Sequence, residues 1–362
     1  MNIIIVGAGA IGGYLGVQLA KAGERVTFVV RPHRVAAWRD QVMVLISAEN
    51  DRIQITPYIA GSVREAIAQT GVCDLLILAV KSYDLPDVIA DLAIQLTSDI
   101  PMIMTTQNGI GIESRVADVF GAEHGLAATL TIPVKSENMT TWRIERDKGG
   151  VVLAPVQKGK DIRDYIELLQ RAGIPTSQVQ SYQSMKWSKV MFNLLSNASS
   201  AILNWTPTQV YAHEALFEME MAMISEALAI MKAQDIKIVN FPSAPTRNLA
   251  FTVRRLPRFL RKRVLQYAVK QGRGNKMPSF NLDLVAGKRK NEVRYHNVAI
   301  ARLGQQLGIP TPVNAALGDI LMKLVTKRLS REQFENQPDV LLKAVAAHVE
   351  EPSVSQIGST FQ

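Results

Sequence analysis

The sequence predicts two folds in series: an α/β N-terminal domain with a doubly wound, mostly parallel sheet, and an all-α C-terminal domain. Two observations carry this. Short β-branched runs alternate with helical patterns through the first half, and after about residue 180 the runs cease and long helical patterns take over. In chain order, residues 3–6 read as a strand, residues 14–22 as an amphipathic helix stopped by Gly23, and residues 26–30 as a second strand, which completes one strand–helix–strand unit. Residues 75–80 and 102–106 read as further strands. Helical spacing then marks residues 184–202, 214–234 and 295–307. A Gly-Ile-Pro segment and a polar Ser/Gln stretch between Gly173 and Gln183 interrupt the periodicity. The expected domains are therefore 1–180 and 181–348, with 349–362, short of large apolar residues, as a loose tail.

At 362 residues and 47% hydrophobic, the chain can bury two cores. Lys plus Arg number 41 against 32 acidic residues, a net charge of +9, which favours anionic partners without choosing among nucleotides, carboxylates, nucleic acid and membrane surfaces. The single cysteine, Cys73, has no intrachain partner and lies in an apolar run; it reads as a buried structural thiol in a reducing cytoplasm. The opening MNIIIVGAGAIG has no basic leader and turns glycine-rich at once, so it reads as a strand and not as a signal peptide. No stretch approaches the roughly 18 uninterrupted apolar residues of a membrane span, and no metal site is expected.

Between the first strand and the first helix stands G-A-G-A-I-G, which makes Gly7, Gly9, Ala10, Ile11 and Gly12 candidate dinucleotide-binding residues. The chain must turn sharply here and bring backbone N–H groups against a pyrophosphate at the positive end of a helix, which glycine permits. Glycine-rich turns are common; the position between a strand and an amphipathic helix makes this one a Rossmann fingerprint. At the end of the second strand, where selectivity for NAD would place a carboxylate, the sequence has Arg31, with Arg34 nearby. A guanidinium binds a 2′-phosphate, so NADPH is expected over NADH, the bland alternative being a solvated loop charge. Lys81 and Asn108 follow the strands at 75–80 and 102–106. Ligands of open α/β sheets bind beyond the carboxyl ends of strands, although both residues also suit ordinary turns.

In KWSKVMFNLLSNASSAI, Lys189, Asn193 and Asn197 recur every four residues, so one helix would display them along a slowly drifting stripe. Standing alone, such a stripe is solvated. A hydride-donating half, however, supplies no acid for the developing alkoxide, and a lysine ammonium can stabilise that charge and give up a proton. Asn side chains orient substrate oxygens without adding charge. Further on, Ser279, Asp283, Glu292 and Asn297 lie on or beside helical segments split at Ala286-Gly287. Composition alone would make Glu292, after Lys288, Arg289 and Lys290, a surface ion pair of little worth.

Taken together, these residues resemble the ketopantoate reductases (2-dehydropantoate 2-reductases) from residue 1 to about 325. The likeness rests on GAGAIGG at 7–13, AVKSYD at 79–84, QNG at 107–109, a W-x-K-x-x-x-N helix at Trp187, Lys189 and Asn193, and P-S-x-x-x-D at Pro278, Ser279 and Asp283 with N-E-V at 291–293. The resemblance implies NADPH-dependent reduction of ketopantoate to pantoate, a step of pantothenate and coenzyme A biosynthesis. It implies Lys189 as general acid and Glu292 as a group that binds and orients substrate. It further implies that Asn108, Asn193, Asn197 and Ser279 hold the substrate's polar groups, and that Lys81 sits by the cofactor.

The sequence departs from the family pattern in three places. GKRKNE carries an extra basic residue before Glu292, and NWTPTQ lacks an Asn-Gly near Thr208, where a preference for a different branched 2-oxo acid would be written. The third is an apparent insertion at about 240–277, rich in Arg and Lys. There Phe259, Leu260, Val264, Leu265 and Ala268 fall at helical spacing beside Arg258, Arg261, Lys262, Arg263 and Lys270, an amphipathic basic helix. Packing on its own domain or on a second subunit is expected ahead of docking of 254–273 on a membrane surface. A homodimer is expected and nucleic acid is not. The rival to an enzyme is a non-catalytic module that senses NADPH while the basic helix holds a partner; it predicts cofactor affinity without turnover.

Overall fold

A computed structural model describes residues 1–97, 99–242, 244–272 and 275–350. The chain divides into two compact units. One comprises Met1–Lys186 with Phe241–Ala244, the other Trp187–Asn240 with the chain from Pro245 onward. Most of the expected tail, 351–362, lies outside the described residues, whereas Val349 belongs to a closing helix, Pro338–Glu350.

The first unit contains β1 (Asn2–Val6), β2 (Arg25–Val29), β3 (Met43–Ile46), β4 (Arg52–Ile55), β5 (Tyr58–Ala60) and β6 (Leu75–Leu78). It continues with β7 (Met102–Thr105), β8 (Gly125–Leu130), β9 (Val134–Ser136), β10 (Thr141–Ile144), β11 (Val151–Pro155) and β12 (Thr176–Gln178). The main sheet has the order β12-β11-β8-β7-β6-β1-β2-β5. Its strands from β8 to β5 pair in parallel, while β11 runs antiparallel to β8 and parallel to β12. In β1 and β6, Ile3, Ile4, Ile5 and all of Leu75–Leu78 are out of water, as continuous apolar runs are in a sheet covered on both faces. The chain leaves β1 toward β2 and β5 and comes back to β6 on its other side. This reversal places a crevice beyond the carboxyl ends of β1 and β6.

Besides the four strands legible in the sequence, the main sheet takes in β5, β8, β11 and β12, and the unit holds a second sheet of order β4-β3-β10-β9. Its strands are three or four residues long, too short for alternation to announce them. The helix Ala10–Lys21 rests on β1 and β2 and also on this small sheet, so it is buried well beyond one stripe. Its glycines make that possible. A Cβ on Gly13 would stand 2.2 Å from the ring of Trp142, the largest fully buried side chain.

The second unit is helical. Glu214–Ala233 is its central helix, with Phe217, Met223, Ile224 and Ile230 packed out of water. Glu226 on that helix accepts from the backbone N–H groups of Val313 and Asn314 at 2.8 and 2.9 Å, and so caps Pro312–Val325 from outside. Two sequence expectations need correction here. The helix expected over 184–202 is two helices, Tyr182–Leu194 and Asn197–Leu203, because Ser196 turns left-handed at φ 54°. The break is held by the wholly buried Glu220, which accepts from Ser196 N at 2.8 Å and from the Ser199 hydroxyl at 2.6 Å. Asn197 therefore opens a new helix and does not continue the stripe of Lys189 and Asn193.

The second correction concerns the basic helix, Arg258–Gly272. Of its expected apolar stripe only Leu265 is buried, joined by Val269, while Phe259, Leu260 and Val264 are exposed. The packed face is set by polar contacts instead. Arg258 reaches Glu214 and Glu218, Lys262 pairs with Glu214, and Gln266 donates to the Tyr211 carbonyl at 2.9 Å. Acidic residues at the start of Glu214–Ala233 thus choose which side of the helix turns inward.

Candidate functional site

In the first unit, Gly7 takes φ +102°, a conformation that glycine adopts without strain, and its N–H donates to the Val29 carbonyl at 3.1 Å. Gly12 is needed for a different reason: a Cβ there would stand 2.0 Å from the Gly7 carbonyl oxygen. Gly9, the exposed residue that begins the helix Ala10–Lys21, would direct a Cβ into open space. None of the described residues comes within 4 Å of that Cβ. A pyrophosphate at the helix N-terminus fits this cradle, because one residue turns the chain, one lets backbone meet backbone, and the middle one keeps the anion's approach clear.

The loops after β2, β6 and β7 meet around this crevice. Arg31, 70% exposed, lies 4.0 Å from Asp84. Such a pair is weak and leaves the guanidinium able to turn to another anion. The Ser82 hydroxyl donates to the Asn108 carbonyl at 2.7 Å, which ties the loop of Lys81 to that of Asn108. The Gln107 amide donates to the Leu78 and Val80 carbonyls at 2.8 and 3.0 Å, and the Thr106 hydroxyl to Leu78 at 2.9 Å. The sequence-predicted cofactor residues are thus brought to one edge of the sheet on stitched loops. Sequence reasoning missed the groups that hold them: Ser82, Gln107 and, beneath them, Lys186, whose ammonium donates to the Gln107 and Ala128 carbonyls at 2.8 Å. Cys73, expected to be buried, is only half-buried, and the burial it has pushes its thiol up to about 12.

In the second unit, Lys189 and Asn193 are half-buried one turn apart on the same face of Tyr182–Leu194. Asn197 is buried, and its Oδ1 accepts from Phe280 N at 3.3 Å; it thereby serves the first turn of Ser279–Val285. Ser279, the first residue of that short helix, is exposed. Asp283 is buried and paired with Lys288 at 2.6 Å. Glu292 is not the surface charge its basic neighbours suggest: it is 5% exposed and begins a 3₁₀ turn, Glu292–Tyr295. That turn is capped by Asn291, whose Oδ1 accepts from Val293 N at 2.9 Å. Asn297 donates to Asn314 at 3.1 Å inside the helical core, a packing role. Among the described residues no group of His, Cys, Asp and Glu could hold a metal ion, and no helix is long and apolar enough to cross a membrane.

A parallel sheet with a glycine cradle at its switch point, followed by an all-helical unit bearing a lysine and a buried carboxylate, defines a dinucleotide-dependent oxidoreductase of Rossmann type. The chain belongs to the ketopantoate reductase family: the family model described as ketopantoate reductase PanE/ApbA matches residues 3–158, and that of its C-terminal domain matches residues 181–325. It is similar to the 2-dehydropantoate 2-reductases of Pyrococcus horikoshii, 26% identical with 88% of this chain and 95% of the relative covered, and of Archaeoglobus fulgidus, 24% identical with 87% and 95% covered. Its fold is that of a PanE/ApbA family ketopantoate reductase from Ralstonia eutropha, with TM-score 0.75, 21% identity, and 91% of this chain and 99% of that one covered. The fold is shared as well by a D-mandelate dehydrogenase solved with NADH and anilino(oxo)acetate, at TM-score 0.74 and 18% identity, with 90% and 99% covered.

Proposed function

We propose that this protein reduces ketopantoate to pantoate with NADPH. The observation that carries the reading is the open glycine cradle at the end of β1, in a chain whose helical half matches the family's C-terminal domain and bears the Lys189–Asn193 face. When bound, the dinucleotide supplies the hydride that goes to the 2-oxo carbon. Lys189 stabilises the negative charge growing on the carbonyl oxygen and gives that oxygen a proton, so that the C=O becomes CH–OH; the lysine then regains its proton from water. Glu292 binds and orients the substrate. Asn108, Asn193 and Ser279 hold its polar groups, and Asn197 contributes through its amide nitrogen. Arg31 binds the 2′-phosphate and Lys81 stands by the cofactor.

In this reading residues 1–180 serve the cofactor and 181–348 the chemistry, and the protein works as a homodimer in the cytoplasm without nucleic acid. A second reading keeps the mechanism and changes the acid. It rests on Thr208, one residue into Pro207–Ala212, where the family's Asn-Gly is missing. Following NADPH absorbance with ketopantoate beside other branched 2-oxo acids tests both. Fastest turnover with ketopantoate supports the first reading, and turnover only with another acid supports the second. Binding of NADPH with no turnover of any acid removes both in favour of a sensing module.

A further inference from the structure

Within the helical unit lies a cavity of about 480 Å³ that is lined by none of the residues assigned above. One side of its wall is built by the helix Thr246–Arg255, which turns Arg247, Ala250, Phe251, Arg254 and Arg255 toward it at spacings of three, four, seven and eight residues. The end of Glu214–Ala233 and the loop after it supply Lys232 and Lys237. Five cations therefore face one volume, against a single acidic residue, Asp235. Among the described residues none of the five lies within ion-pair distance of a carboxylate. The helix dipole favours basic residues in the last turn of Thr246–Arg255, which accounts for Arg254 and Arg255 at most.

The cations are also partly fixed. Arg247 Nε donates to the Ile238 carbonyl and Arg254 Nη2 to the Leu228 carbonyl, each at 3.0 Å, which orients both guanidinium groups and leaves further N–H donors on each. The loop that carries Lys237 is pinned in turn: Asp235 adopts φ 50°, Ile236 N donates to the Met231 carbonyl at 2.8 Å, and Val239 N donates to the Ser188 hydroxyl at 2.9 Å. Between the charges the lining is apolar, with Met231, Ile236 and Ile238, and with Phe251, a residue 59% exposed. An exposed aromatic face beside oriented guanidinium groups suits a ligand that is flat at one end and multiply anionic at the other.

We propose that this cavity is a binding site for a small phosphate ester with a flat apolar body. The volume is that of a small-molecule site, and a phosphate satisfies several of the donors that the described residues leave without an acid. The apolar body lies on Phe251.

Calorimetric titration of the full chain with 1-naphthyl phosphate tests this, with inorganic phosphate and 1-naphthol as the separate halves of the probe. The expected result is one saturable site for the ester, bound at least tenfold more tightly than either half. Arg247→Ser/Arg255→Ser together, and Phe251→Ser alone, each weaken it at least tenfold. Arg255→Gln, a change at an exposed residue that keeps the fold, weakens it at least threefold. Arg263→Ser/Lys270→Ser, which removes two exposed cations outside the cavity, leaves it unchanged, as does Gly9→Ala, which obstructs the dinucleotide cradle. An absence of saturable binding overturns the proposal. So does an equal loss in the two double variants, which marks a diffuse positive field, and so does loss of binding in Gly9→Ala, which places the probe in the cradle.

Discussion

The Lys186 ammonium lies 2.8 Å from the Glu113 carboxylate with both side chains almost wholly out of water, at 4% and 1% exposure. Its remaining donors go to the Gln107 and Ala128 carbonyls, and Glu113 also accepts from the Thr105 hydroxyl at 2.8 Å. The pair thus ties the end of β7, the start of Ile112–Phe120 and β8 beneath the loop that presents Asn108. A buried ion pair is costly to break from one side, because the survivor remains charged and unpaired. Lys186→Met is expected to lower stability by about 3–5 kcal/mol, read from the urea midpoint. Lys186→Met with Glu113→Leu should recover part of that loss; a single variant as stable as the parent would show that the pair contributes nothing.

Gly9 and Gly12 stand three residues apart and should fail differently. Gly12→Ala forces a Cβ onto the Gly7 carbonyl and is expected to cost about 1–3 kcal/mol of stability, the usual range for overpacking. Gly9→Ala meets no protein atom within 4 Å, so its melting temperature should stay close to the parent's while NADPH affinity falls at least tenfold. Equal affinity in Gly9→Ala and the parent would remove the cradle from cofactor binding.

Lys189→Ala is expected to lower kcat by about a hundredfold or more, in the range for loss of a positioned acid, with NADPH binding retained. Steady-state kinetics beside a fluorescence titration of NADPH separates the two effects. Near-normal turnover would sink the assignment of Lys189.

Arg31→Ala should weaken NADPH much more than NADH, since only the former carries a 2′-phosphate. The weak 4.0 Å contact with Asp84 makes a large loss of stability an unlooked-for outcome. Equal losses for the two cofactors would take Arg31 out of that role.

On the closing helix, His348 faces Asp319 at 3.6 Å, and Lys323 pairs with the same carboxylate at 2.7 Å. The Asp319 carboxylate raises the imidazole above its usual 6.5, while burial opposes the shift. A cation whose folded-state value is raised adds stability that is fully present below about pH 6.5 and is lost as pH rises through the higher folded value. Thermal melts of the parent should therefore decline across that window, by no more than about 1 kcal/mol because the pair is partly solvated. His348→Gln should flatten the profile; an unchanged slope would place the titration elsewhere.

Much of the fold was legible because its signals are local. A β-branched run, a glycine triplet at fixed spacing and a 3.6-residue period each arise from neighbours in sequence, and they marked β1, β2, β6, β7 and the helices Glu214–Ala233 and Asn297–Leu307 within a residue or two, while the first helix starts four residues before its expected position. The small sheet was not legible. Its members come from residues 43–55 and 134–144, and strands of three or four residues take their stability from partners far along the chain.

By itself the sequence determined the α/β-then-α order, the glycine cradle, and the candidate identities of Lys189, Asn193 and Arg31, because these depend on residue type and spacing. Only the tertiary structure decided that Ser196 breaks the helix, since the cause is Glu220, a buried carboxylate 24 residues away. Likewise it turned the basic helix through Glu214 and Glu218, and it separated Lys186 from Lys189. In KWSK the two lysines are alike. One is buried because Glu113 and two carbonyls surround it, and the other is left half-exposed on the helix face, a difference made by what the fold brings near and not by the residues themselves.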